Sequence, residues 1–186
     1  MERTLALIRQ AVVVSIAALL VASPTAAQEQ VRSANPADAG SLNAIITAVY
    51  DVISGPVGEA RDWDRFYSLF IPEARLIATG RGPNGQAGYQ SMTPAQYVES
   101  NGDGLTSVGF IESEVARTVE TFGNVSHVFS TYESKFTQNG QPATARGINS
   151  IQLYSDGARW WIVTIFWDSE RPDNPIPAKY LPGGGR

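Results

Sequence analysis

The chain has 186 residues, 43% of them hydrophobic and 17% charged, with a net charge of −4, the balance of one globular domain and not of a disordered or fibrous chain. A mildly acidic chain carries no electrostatic footprint for nucleic acid or an anionic membrane surface, since both need clustered Lys and Arg. With no cysteine and a single histidine, His127, the sequence excludes disulfides, thiolate nucleophiles, Cys-ligated zinc and any multi-histidine metal site, and no metal or cofactor is expected.

Residues 1–27 begin with Arg3 and Arg9, continue as the apolar run AVVVSIAALLVA from Ala11 to Ala22, and end in small residues at Thr25 and Ala27. That order predicts a secretory signal peptide, because the apolar run is too short for a bilayer core of about 30 Å. The mature protein is therefore expected to be exported, periplasmic or secreted, with no membrane attachment after cleavage. Residues 28–40 are polar and aperiodic and predict a flexible leader.

A domain over residues 41–170 follows. SLNAIITAVYDVI places Leu42, Ile45, Ile46, Val49, Val52 and Ile53 at helical spacing, with Ser41 as N-cap. RDWDRFYSLFI repeats the pattern behind Asp62, and TPAQYVES predicts a third, short helix because Thr93 can cap it and Pro94 suits its first position. Between the second and third helices, ARLIATG and GYQSM flank GPNGQA as a small hairpin. Four long alternating segments then run from Gly109 to Trp167, separated by Gly123-Asn124, Asn139-Gly140 and Asp156-Gly157, which are two-residue hairpin turns by type. Residues 171–186 form a Pro- and Gly-rich tail that covers an edge or extends loosely.

Two-residue turns set the register by arithmetic. One cross-strand row becomes Arg117, Ser130, Asn149 and Thr164; a second is Val115, Tyr132, Gly147 and Phe166; a third is Val119, Val128, Ile151 and Ile162. All twelve share the face that the helices cover. The opposite face collects Glu120 beside His127, Glu133 opposite Arg146, and Glu112 opposite Lys135, each a favourable pair. One conflict remains, Glu114 against Glu133, and a bulge in the first long strand would invert part of the assignment. Trp161, Val163, Ile165 and Trp167 fall on the outer face, an apolar row suited to a homodimer interface.

A covered polar belt of Arg117, Ser130, Asn149 and Thr164 must be satisfied by itself, by a helix carboxylate, by water or by a ligand. A closed internal network anchored by Asp62 or Asp64 and a small-molecule pocket both meet that demand. In the pocket reading, Arg117, Ser130, Asn149, Thr164, Tyr132 and Phe166 bind the ligand, and Arg117 favours an anionic one. Should chemistry occur, Asp64 is the candidate base and Tyr132 the candidate proton donor.

DWDRFYSLFIPEA, FGNVSHVFSTYES and DGARWWIVTIFW together resemble the nuclear transport factor 2-like superfamily, in its exported SnoaL-like branch, over about residues 41–170. The resemblance implies an α+β fold, a cone-shaped barrel whose strongly curved antiparallel sheet wraps around three N-terminal helices, with a pocket at the wide mouth and dimers through the outer sheet face. No catalytic set known in the family transfers: LIATG lacks the isomerase carboxylate, one histidine cannot supply the dehydratase pair, and Arg117-Thr118-Val119 stands where epoxide hydrolases carry Arg-x-Asp. The functional expectation is an exported small-molecule-binding protein. A lyase or isomerase with a carboxylate base, and a structural dimerisation module, stay open beside it.

Overall fold

The protein is described by a computed structural model, which covers residues 33–184; the expected signal peptide lies outside the described residues. In chain order the elements are α1 (Pro36–Ala39), α2 (Leu42–Ile53), α3 (Trp63–Ser68), β1 (Phe70–Arg81), β2 (Ala87–Met92), α4 (Pro94–Val108), β3 (Ile111–Phe122), β4 (Val125–Gln138), β5 (Gln141–Ser155), β6 (Trp160–Ser169) and a 3-10 turn at Ala178–Tyr180. The six strands form one curved sheet in the order β2-β1-β6-β5-β4-β3. Nine of the elements, α2 to α4 and β1 to β6, are at the places the sequence predicts, and the fold is α+β with the helices on the inner face of the sheet.

The caps act as read. Ser41 Oγ accepts from Ala44 N–H at 3.1 Å and Asp62 Oδ1 accepts from Arg65 N–H at 2.9 Å. Thr93 and Gln96 close a reciprocal capping box at the start of α4. This helix runs past the expected end, through Gly102, because Gly102 lets it approach α3: a Cβ there would stand 3.2 Å from the Trp63 ring. In the segment expected as a flexible leader, Asn35 caps a turn of helix, and Asp38 in it pairs with Arg65 at 2.9 Å. That ion pair ties the turn to α3, so residues 36–39 are part of the folded domain.

The expected all-antiparallel sheet is corrected at one seam. β1 pairs with β6 in parallel, Leu76 opposite Ile165 and Ala78 opposite Trp167, because the last strand of the meander returns to the free edge of the first hairpin. Ile45, Ile46, Leu69, Val128, Ile151, Leu153 and Ile162 are almost wholly buried where α2 and α3 cross the sheet, each contributing roughly 1.5–3 kcal/mol by leaving water.

One charged side chain joins the helix ends. Arg61 is 7% exposed, and its guanidinium donates to the carbonyls of Ile53 at 3.1 Å, Glu59 at 2.5 Å, Gly55 at 2.7 Å, Leu105 at 3.3 Å and Phe110 at 3.5 Å. Carbonyls at and just beyond the C-terminal ends of α2 and α4 carry partial negative charge, and helix ends leave acceptors short of donors. The guanidinium fork satisfies both ends at once. Arg61→Met should lower unfolding stability by about 3 kcal/mol, since it strands buried acceptors, and Arg61→Lys should recover only part of it because one ammonium cannot span them. Urea denaturation measures both, and a loss below about 1 kcal/mol for Arg61→Met would mean that the carbonyls are otherwise satisfied.

Candidate functional site

Two bulges decide which side chains look inward. Between β4 and β5 the register is the one read from the Asn139-Gly140 turn, with Ser130 opposite Asn149, Tyr132 opposite Gly147 and Glu133 opposite Arg146. Between β3 and β4 the pairing slips at Val115: Arg117 still faces Ser130, but Glu114 faces Tyr132 and Glu112 faces Ser134. A one-residue slip turns every later side chain to the other face. Glu112 and Glu114, expected outside against Lys135 and Glu133, therefore point into the cone.

The last strand is inverted in the same way. Asp156 Oδ1 accepts from Ala158 and Arg159 N–H, both at 2.8 Å, and closes a four-residue loop in place of a two-residue turn. That longer loop keeps the faces, so Ile162 stays inside opposite Leu153. The bulge at Val163 then reverses them, leaving Gln152 opposite Thr164 and Asn149 opposite Trp167. Ile165, at 7% exposure, and Trp167 turn inward, whereas Phe166, at 46%, turns out. Thr164 and Phe166 are thus on the outer face and leave the candidate ligand set, and Ile165 and Trp167 leave the expected dimer row.

The polar belt divides into two parts. Arg117 Nη2 pairs with Glu114 at 2.6 Å and its Nη1 donates to Asn43 Oδ1 at 3.1 Å; neither Asp62 nor Asp64 is its partner. Ser130 Oγ donates to Glu114 at 2.5 Å, so its own acceptor site takes the Tyr50 hydroxyl proton at 2.8 Å. Tyr50 in turn accepts from Asn149 Nδ2 at 3.0 Å. The carboxylate at one end can only accept, and this sets the direction of every bond in the chain. Arg117 and Ser130 are consumed by that network.

Asn149 is the link between it and a cavity of about 310 Å³. Tyr50 and Ile53 from α2, Tyr97 and Asn101 from α4, Glu112 from β3, Tyr132 and Phe136 from β4, and Ile165 and Trp167 from β6 form its wall. Glu112 is fixed at its backbone: its N–H donates to Ser54 Oγ at 2.8 Å, and that hydroxyl donates to the Tyr50 carbonyl at 2.7 Å. Tyr132 lies over Gly147, where a Cβ would collide with the phenol oxygen, and its hydroxyl sits 3.3 Å from Ser169 Oγ.

Burial in this dense wall pushes the Glu112 carboxyl up to about 7, and a hydrogen bond from Asn149 pulls it down by less. Part of the side chain still meets the open cavity. Burial likewise raises Tyr50, Tyr97 and Tyr132 above the usual phenol value, with the Glu112 charge adding to each. These phenols are neutral hydrogen-bonding groups at physiological pH. A carboxyl poised between its two states beside neutral donors can hold a polar or cationic group, or move a proton. Among the described residues no group of three or more His, Cys, Asp or Glu side chains is arranged to hold a metal ion.

Of the residues singled out in the sequence, the structure brings Asn149 and Tyr132 together at the cavity. Asp64 is exposed on α3, beside Asp62 and Arg65 in a separate surface hollow, because the helix turns its apolar side, with Phe66, to the sheet. His127 is on the outer face, 2.9 Å from Ser150 Oγ. Glu112 is the residue that sequence reading missed. Its signal was the like-charge clash of Glu114 with Glu133, which a bulge in GFIESEVAR removes.

No protein-family profile matches the chain, and no curated protein matches it in sequence. Solved structures do match it in shape. A nuclear transport factor 2-like superfamily protein from Salmonella enterica serovar Typhimurium is 18% identical with a TM-score of 0.52, over 68% of this chain and 86% of that one. A protein described as a calcium/calmodulin-dependent protein kinase II association domain, from Xanthomonas campestris, is 13% identical with a TM-score of 0.51, over 70% and 86%. A protein of unknown function from Mycobacterium tuberculosis is 14% identical with a TM-score of 0.53, over 73% and 74%. At these identities the likeness shows the fold: a nuclear transport factor 2-like cone.

The raised Glu112 pKa makes a signed prediction. As pH climbs from 4.5 towards 7 the unfolded chain releases this proton and the folded protein keeps it, so stability falls through that window. Glu112→Gln removes the cost. The variant should match wild type at pH 4 and exceed it at pH 8 by about 1–3 kcal/mol in urea denaturation. Wild type being the more stable at pH 8 would show that the carboxylate is favourably partnered.

Proposed function

We propose that this is an exported, SnoaL-like small-molecule-binding protein whose cavity takes a small, mostly apolar organic molecule with one polar end. The observation that carries this is the 310 Å³ space in which Glu112 and Asn149, with Asn101, Ser134 and Ser169, are set in a wall built mostly from aromatic and aliphatic side chains, the usual make-up of a ligand site. An anionic ligand has lost its basis, because the guanidinium meant to grip it is held by Glu114. Export rests on the residues before Gln28 alone.

Proton-transfer chemistry, as in a lyase or isomerase, is the second reading. Glu112 favours it, as a carboxyl on open cavity space with no salt bridge to Arg117, and it replaces Asp64 as the candidate base, with Tyr132 as the neutral donor. Self-association through the outer sheet face is supported by one exposed row across four strands: Phe122 at 90%, Val125 at 58%, Tyr154 at 41%, and Trp161. The description of the Xanthomonas relative as an association domain points the same way. The tail covers another part of that face, where Tyr180 packs on Phe129 with ring centroids 4.8 Å apart.

Native mass spectrometry of the protein from its own host tests three parts together. The expected result is a chain lacking residues 1–27, present as a dimer, with a retained organic molecule. A full-length, ligand-free monomer would sink the proposal. Deuterium entering the retained compound in D2O, and not entering it with Glu112→Gln, would select the catalytic reading. Tyr154→Lys should give folded monomers by sedimentation, and an unchanged dimer would move the interface elsewhere.

A further inference from the structure

We infer that the cavity recognises a cation: a small organic molecule with an ammonium-type head against Glu112 and an apolar body against the aromatic wall. The inference rests on the cavity being a ligand site and adds the charge of the ligand.

Two glutamates on one strand are treated differently. Glu114 has Arg117 at 2.6 Å and the Ser130 hydroxyl at 2.5 Å. Glu112, two residues away on the same face, is the only acidic side chain among the described residues lining the cavity, and no Lys, Arg or His lines it. The groups that face it are Tyr50 from α2, Tyr97 from α4, Tyr132 from β4 and Asn149 from β5, with Ser169 of β6 on the same wall. All are neutral at physiological pH, and the charge of Glu114 is already matched. A carboxylate in such surroundings has no counter-ion of its own, and its charged form is stabilised by a counter-ion that enters from the cavity side. The open space beside Glu112 is the one position left for it.

The wall suits that counter-ion. Tyr97 and Trp167 meet nearly at right angles, 84° with centroids 6.4 Å apart, and Phe110 and Phe136 stack at 6.4 Å. All four line the cavity. Aromatic faces arranged as a corner attract organic cations through their quadrupoles, and tryptophan does so most strongly. An anion would meet Glu112 as a like charge, and a neutral ligand would leave the carboxylate without a counter-ion.

The test uses benzyltrimethylammonium, whose charge does not titrate, and its uncharged isostere neopentylbenzene, by calorimetry and by quenching of tryptophan fluorescence. At pH 8 the cation should bind the wild-type protein at least about tenfold more tightly than the isostere, the step of one ion pair closed in a cavity. Between pH 8 and pH 5.5 its affinity should fall at least about fivefold, towards that of the isostere, as Glu112 takes up a proton near 7, with the isostere unaffected. Glu112→Gln, checked for an unchanged circular dichroism spectrum, should abolish both the preference and the pH dependence; the wild-type pH profile stands without the variant. Equal binding of the two compounds at pH 8, or a preference that survives in Glu112→Gln, overturns the cation assignment and leaves the binding site intact. Binding of neither compound overturns the cavity reading and this inference with it.

Discussion

Five backbone carbonyls converge on the buried guanidinium of Arg61, and the placement of the site follows from that convergence. A helix ends in acceptors without partners, and burying two such ends side by side is costly unless a donor with several N–H groups lies between them. Arg61 is that donor. It holds the exit of α2 against the exit of α4 and the Phe110 carbonyl just ahead of β3, where the Gly55 N–H adds a further bond to Phe110 at 2.9 Å. Ser54, one residue beyond α2, is then in place to receive the Glu112 N–H. The cavity carboxyl is thus located by a structural cation that never touches the cavity.

From that fixed point, two bulges sort the polar residues. The slip at Val115 brings two glutamates to the inner face of β3, and the slip at Val163 brings Trp167 to the inner face of β6. Inside the cone the charges are handled in opposite ways. The Glu114 carboxylate is neutralised and bonded through Arg117, Ser130 and Tyr50, a closed set that costs little because each member is satisfied. Glu112 receives one amide hydrogen bond and no cation, and its raised pKa expresses the cost. Folding alone gives no reason to keep an ionisable group there, since an apolar residue would serve the core better. Expensive polar groups without structural partners concentrate where proteins bind or react.

The sheet itself is thereby two surfaces with different uses. Its concave side carries the core at one end and the cavity at the other. Its convex side keeps Glu133 beside Lys135, Arg146 bound to Glu170, the cross-strand neighbours Glu120 and His127, the apolar row at the β3–β4 and β5–β6 tips, and the docked tail. Both faces depend on the uninterrupted β4–β5 ladder at the centre, which has no register shift along its length.

Much of this was legible in the chain. The caps Ser41, Asp62 and Thr93, the helix periodicity, and the Asn139-Gly140 turn are local features whose physics acts within a few residues. They determined the helices, the order of the elements and the central register that sets Asn149 opposite Ser130 and Gly147 opposite Tyr132. The nuclear transport factor 2-like cone was implied by the family resemblance of DWDRFYSLFIPEA, FGNVSHVFSTYES and DGARWWIVTIFW. Tertiary structure alone decided the bulges at Val115 and Val163, the four-residue loop closed by Asp156, the continuation of α4 past Gly102 and the parallel seam of β1 with β6. The Glu114–Glu133 clash hinted at the first bulge without placing it, and nothing in the sequence marked the second; a bulge forms where the ladder and the packing against the helices cannot both be kept with a regular strand. Because side chains alternate with period two, each such slip exchanged the faces of everything beyond it. That is why Thr164 and Phe166 went out, Glu112 and Trp167 came in, and the charge of the cavity was reversed from the guanidinium of Arg117 to the carboxyl of Glu112.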